Sequence, residues 1–172
     1  MADMHEVFLN PGDFHFGGGH TRIRTLLGSC VSIALWHPTR HIGGMCHYML
    51  PNRGLRPRAE LDGRYADQAM ALFDTAISKY GTRANEYLAK IFGGGNMFPG
   101  KPVRTGFEIG QRNIEMAHQL LAERKIPVVA EHLGGEGHRK LVFDLWSGDA
   151  WLAFQEAAPD NKGLQTPCLP SK

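Results

Sequence analysis

The chain has 172 residues, 42% of them hydrophobic and 21% charged, with a formal net charge of +2 and 21 glycines. That composition suits a single globular domain with a sizeable core, over residues 1–172, and gives no support for nucleic-acid binding. Apolar runs fall well short of the roughly 18 residues a membrane helix needs, and three cysteines do not make a secreted disulfide framework, so the expected location is the cytoplasm without membrane insertion.

The first extended segment is expected at residues 7–9, followed by the loop Asn10-Pro11-Gly12-Asp13. Residues 14–20 carry Gly17-Gly18-Gly19 between His15 and His20, and ordering three successive glycines costs backbone entropy. They read as an exposed loop or active-site rim.

Residues 31–36, Val-Ser-Ile-Ala-Leu-Trp, alternate as a strand with one strongly apolar face. His37-Pro38-Thr39-Arg40 supplies a turn, and residues 42–49 return. Setting Trp36 opposite His41 puts Cys30 opposite His47, with both side chains on one face. Val31, Ile33, Leu35 and Cys46 then share the other face, which anchors the hairpin in the core. A slip of one residue would turn the imidazole away, and Gly43 and Gly44 leave room for a bulge.

Past a loop at 51–57, Asp62 is expected to cap a helix running to Tyr80. Its stripe is Tyr65, Ala69, Leu72 or Phe73, Ala76 and Ile77, and Gly81 ends it. A strand at 87–92 leads into Gly93-Gly94-Gly95-Asn96, which lacks the lysine and Ser/Thr of a phosphate-binding loop. A second helix is expected at 111–123, burying Ile114, Ala117 or His118, and Leu121. Residues 126–130 are extended, and 140–146 with 151–154 read as a second hairpin. The remainder, 157–172, reads as a surface tail, leaving a core of about 6–154. Strands mixed with two helices, without strand-helix alternation, indicate an α+β fold.

The chemistry follows from Cys30 and His47. A thiol beside an imidazole can attack a carboxamide carbonyl: the imidazole takes the thiol proton, returns it to departing ammonia, and then activates water against the thioester. Backbone N–H groups around Gly28 and Ser29 are candidates for stabilising the oxyanion. Ser29 itself competes poorly as nucleophile, because neighbours on a strand face opposite ways. A third group should orient His47, with Thr25, Asp13, Asp62 and Asn96 as candidates. Cys30, Cys46 and His47 do not make a metal site, since alternation separates the last two and no fourth ligand has a distinctive spacing. No cofactor is expected.

The ordered set Thr25-Leu26-Leu27-Gly28-Ser29-Cys30-Val31, Gly44-Met45-Cys46-His47-Tyr48-Met49-Leu50-Pro51, Tyr65-Ala66-Asp67, Phe92-Gly93-Gly94-Gly95-Asn96-Met97-Phe98, Ile109-Gly110-Gln111-Arg112-Asn113 and Ala130-Glu131-His132-Leu133-Gly134-Gly135 resembles CheD, the chemoreceptor glutamine deamidase family. The resemblance covers about residues 6–154. It implies a layered sandwich of mixed β-sheets with flanking helices, Cys30 as nucleophile, His47 as base and acid, and Thr25 as the hydroxyl that organises the histidine. It also implies glutamine side chains of methyl-accepting chemotaxis receptors as substrates, converted to glutamate, and CheC phosphatase as a partner. Two other classes stay open: a receptor-bound adaptor, and a hydrolase of glutamyl methyl esters working through the same acyl intermediate.

Overall fold

The computed structural model describes residues 3–54, 60–100 and 106–158, except the side chains of Gly106 and Phe107. The 51–57 loop, the 157–172 tail and Cys168 therefore fall partly or wholly outside the described residues.

The fold is α+β, with two mixed sheets and two long helices. Strands β1 (His5–Leu9), β3 (Thr21–Leu27), β8 (Gly137–Asp144) and β9 (Ala150–Glu156) form one sheet in that order, with β1 and β3 parallel. The second sheet has the order β2 (Phe14–Gly18), β5 (Ile42–Cys46), β4 (Val31–His37), β6 (Leu88–Gly93) and β7 (Val128–Leu133), with β6 and β7 parallel. Helices α1 (Ala66–Lys79) and α2 (Gly106–Glu123) cover the outer face of the five-stranded sheet.

Two apolar layers follow from strand alternation. Val31, Ile33, Leu35, Cys46 and Tyr48 pack down on Ala69, Met70, Phe73 and Ile77 of α1 and on Ile114, Ala117 and Leu121 of α2. On the opposite face of the same strands, Ala34 and Met45 meet Leu9, Ile23, Leu27, Leu141 and Phe143 of the four-stranded sheet. Cys46 thus lies in the helix-side core, as its place in the alternation requires.

Several expectations need correction. Residues 14–20 are mostly strand β2 rather than a loop: Phe14 and Phe16 pack on Phe73, the former edge-on with ring centroids 4.8 Å apart. Backbone pairing with β5 orders the glycines that side-chain alternation could not reveal. Strand β3 went unassigned, although its even alternation buries Thr21, Ile23, Thr25 and Leu27.

The hairpin register also differs. Ala34 pairs with Met45, Trp36 with Gly43, His37 with Ile42, and Val31 bridges Tyr48, so Cys30 is not opposite His47. His41 takes the left-handed conformation, with φ 51°, donates its N–H to His37 O and stacks on Trp36. It is consequently a turn residue, and β4 runs one residue further. The offset is two residues, so every side chain keeps its face. Gly43 and Gly44 make no bulge there; a Cβ on Gly43 would lie 2.0 Å from Leu35 O.

Asp62 does not cap α1. Its carboxylate accepts from the Arg64 backbone and side chain, and Tyr65 occupies the N-cap. Gly81 follows the helix with φ 68° and donates to Ser78 O, as a terminator should. Helix α2 begins five residues before the expected start. Of the two residues offered for burial, Ala117 is buried and His118 lies on the exposed side, where it faces Glu131 at 3.3 Å.

Candidate active site

The chain passes from one sheet to the other through Gly28-Ser29-Cys30, the short connection between β3 and β4. This crossing delivers Cys30 to the mouth of the space between the sheets, half-buried and packed against the inter-sheet layer. Gly94 N–H donates to Cys30 O and Gly95 N–H to Gly28 O, both at 2.9 Å, so the glycine run after β6 backs the loop that carries Cys30. The approach is close enough to require glycine: Gly93 has φ 114°, and a Cβ there would lie 2.1 Å from Cys30 O.

His47 follows β5 and turns toward the same inter-sheet layer. Its backbone is fixed by the turn after β1, with Gly12 N–H donating to His47 O and His47 N–H donating to Asp13 O. The register places Ser32 across from His47 and Cys30 diagonally beside it on one face. No hydrogen bond joins Cys30 Sγ and His47 Nε2, and Nε2 is buried without a partner.

Thr25 reaches His47 from the other sheet. Its Oγ1 lies 2.7 Å from His47 Nδ1 and 2.8 Å from Leu9 O. A carbonyl can only accept, and a hydroxyl has one proton, so the Thr25 proton goes to Leu9 O and Oγ1 accepts from Nδ1–H. This relay selects the tautomer with the lone pair on Nε2, which is the form a general base needs. The other candidate orienters do not take that place. Asp13 Oδ2 caps its own turn by accepting from Asn10 N–H, Asp62 pairs with Arg53 and Arg64, and Asn96 Oδ1 accepts from Phe98 N–H.

Burial lowers the His47 pKa to about 4, opposed by the nearby Leu9 carbonyl and the Asp13 carboxylate. Burial also raises the Cys30 thiol, while its own backbone N–H pulls the other way. At neutral pH the two groups therefore rest as thiol and neutral imidazole. Cys46, wholly buried, is pushed up to about 12 and faces the other way.

One contributor was missed by sequence reasoning. Asn113 of α2 is fully buried and donates through Nδ2 to Ser29 O at 3.1 Å and Met49 O at 2.9 Å. It stands in the run Ile109-Gly110-Gln111-Arg112-Asn113, where nothing local ties position 113 to a hairpin more than 60 residues earlier.

The family described as CheD chemotactic sensory transduction matches this chain over residues 49–154. A protein of Dechloromonas aromatica named probable chemoreceptor glutamine deamidase CheD 3 is 57% identical over 91% of this chain and 92% of its own length. One of Albidiferax ferrireducens, named probable chemoreceptor glutamine deamidase CheD 2, is 47% identical over 85% of each chain. Among solved structures, the Bacillus licheniformis hypothetical protein YfiH matches 64% of this chain and 45% of its own, at 16% identity and a TM-score of 0.39, a likeness that carries no argument.

Proposed function

Because the chain belongs to the CheD family, we propose that it deamidates glutamine side chains of chemotaxis receptors, with Cys30 as nucleophile, His47 as base and acid, and Thr25 as the group that orients His47. The observation that carries this reading is the relay from His47 Nδ1 through Thr25 Oγ1 to Leu9 O, which leaves Nε2 as the proton acceptor on the face shared with Cys30.

In this mechanism the Cys30 S–H proton passes to His47 Nε2 as sulfur bonds to the carboxamide carbon, and the carbonyl electrons move onto oxygen. Collapse of the oxyanion expels the amide nitrogen, which leaves as ammonia with the imidazolium proton. Water then attacks the thioester with His47 as base, giving glutamate and the free thiol. The substrates are methyl-accepting receptors, met at the cytoplasmic side of the membrane, and CheC phosphatase is the regulatory partner this reading carries; co-elution of the purified proteins checks the latter.

The test incubates the protein, Cys30→Ala and His47→Ala with receptor fragments and maps side-chain masses. Glutamine should gain about one mass unit with release of ammonia, and both substitutions should abolish the gain. Undiminished deamidation by Cys30→Ala refutes the mechanism. Methanol release from methylated fragments with no deamidation, or tight binding with no product, refutes the activity.

A further inference from the structure

The β4–β5 ladder runs to Ala34–Met45, and beyond it an isolated bridge joins Val31 to Tyr48, one residue short of Cys30 on one strand and one residue beyond His47 on the other. Both candidate reactive groups thus lie where sheet pairing gives out. Past that bridge the strands part: Met49 N–H donates to Arg64 O, while Gly28 O accepts from Gly95.

Asn113 reaches into that fork from α2. Its Nδ2 donates to Ser29 O, immediately before Cys30, and to Met49 O, two residues after His47. Two carbonyl acceptors require an amide group with two protons, so the orientation of the carboxamide is fixed by chemistry. The backbone of the same residue is tied to the hairpin as well, since the buried Tyr48 hydroxyl donates to Asn113 O at 2.6 Å. Three bonds therefore join one helical residue to positions 29, 48 and 49. The carboxamide is itself fully buried, with Oδ1 unpartnered, so the side chain is not held there by solvent.

We propose that Asn113 is a positioning residue: it clamps the open end of the hairpin and thereby sets the distance between Cys30 and His47. The proposal rests on the reading of those two residues as a reactive pair. Asn113 touches neither reacting atom and acts only through the backbone on either side.

The test is a double-substitution cycle read by iodoacetamide alkylation of Cys30 in the native protein, with peptide mapping to separate it from the other cysteines. His47→Ala is expected to slow alkylation at neutral pH at least tenfold, by removing the base. Asn113→Ala should slow it at least fivefold and reduce its pH profile to that of an unassisted thiol. The double variant should be within twofold of the slower single variant, because a base held out of reach contributes nothing further. In receptor deamidation, Asn113→Ala should lower kcat at least tenfold and leave KM within twofold. Amide exchange at Val31 and Tyr48, whose mutual bonds close the ladder, should accelerate while the centres of β4 and β6 stay protected.

Multiplying effects in the cycle, or normal alkylation by Asn113→Ala with a normal His47→Ala response, overturn the proposal alone. An unresponsive His47→Ala overturns the reactive pair and the clamp with it. Should Asn113→Ala not fold, Asn113→Leu, similar in size but without any hydrogen-bond donor, takes its place in the same cycle with the same expected outcomes.

Discussion

His47 gives the molecule a measurable dependence on acid. It is 2% exposed, and burial lowers its pKa from 6.5 to about 4. In the unfolded chain the imidazole takes a proton as pH falls through about 6.5, whereas in the folded protein it resists until about 4. Across that window the unfolded state binds more protons. The contribution of His47 is therefore intact above 6.5, declines as pH falls, and is fully lost below about 4. The interval corresponds to about 3 kcal/mol. Urea denaturation of the protein and of His47→Gln, from about pH 7.5 down to about pH 4, isolates this term because carboxylates and the remaining histidines cancel in the difference. The stability of the wild type relative to the variant should fall by about 3 kcal/mol over the range. A difference that stays level, or that grows as pH falls, would refute the reasoning.

The relay predicts a matched pair of results. Thr25→Val keeps the shape but deprives both Leu9 O and His47 Nδ1 of their partner, which should destabilise the fold by about 1–4 kcal/mol in urea titrations and lower kcat at least tenfold; Thr25→Ser should restore most of both. Timed alkylation of the native protein should label Cys30 and spare Cys46 until urea is added, since burial holds the Cys46 thiol at about 12. Gly93→Ala should cost more than about 1 kcal/mol by thermal denaturation and most of the activity, because its methyl would collide with Cys30 O.

The face of each hairpin residue was legible because alternation survives any even shift in register. Cys46 and His47 could thus be assigned to opposite layers from the residues alone. The register itself was not, since it depended on His41 adopting a left-handed turn conformation that L-residues with side chains rarely take. Strand β2 was hidden for a different reason: Gly17 and Gly18 have no side chains to alternate, and their order comes from pairing with Gly43 and Ile42. Thr25 stood in a plain alternating run, yet its role depends on β3 lying across the core from β5, in the other sheet. Asn113 is the extreme case, as its acceptors are main-chain carbonyls that any residue could supply.

The crossing at Gly28-Ser29-Cys30 means that no single sheet owns the reactive geometry. Thr25 and Leu9 ride on one sheet while Cys30 and His47 flank strands of the other, and a 2.7 Å bond spans the gap. The Thr25–His47 bond is consequently a gauge of how tightly the two sheets are pressed together. Thinning the filling between them, for instance by Phe143→Leu, well away from Cys30 in the sequence, should shift catalysis and the His47 titration together, as a change of spacing acts on both at once.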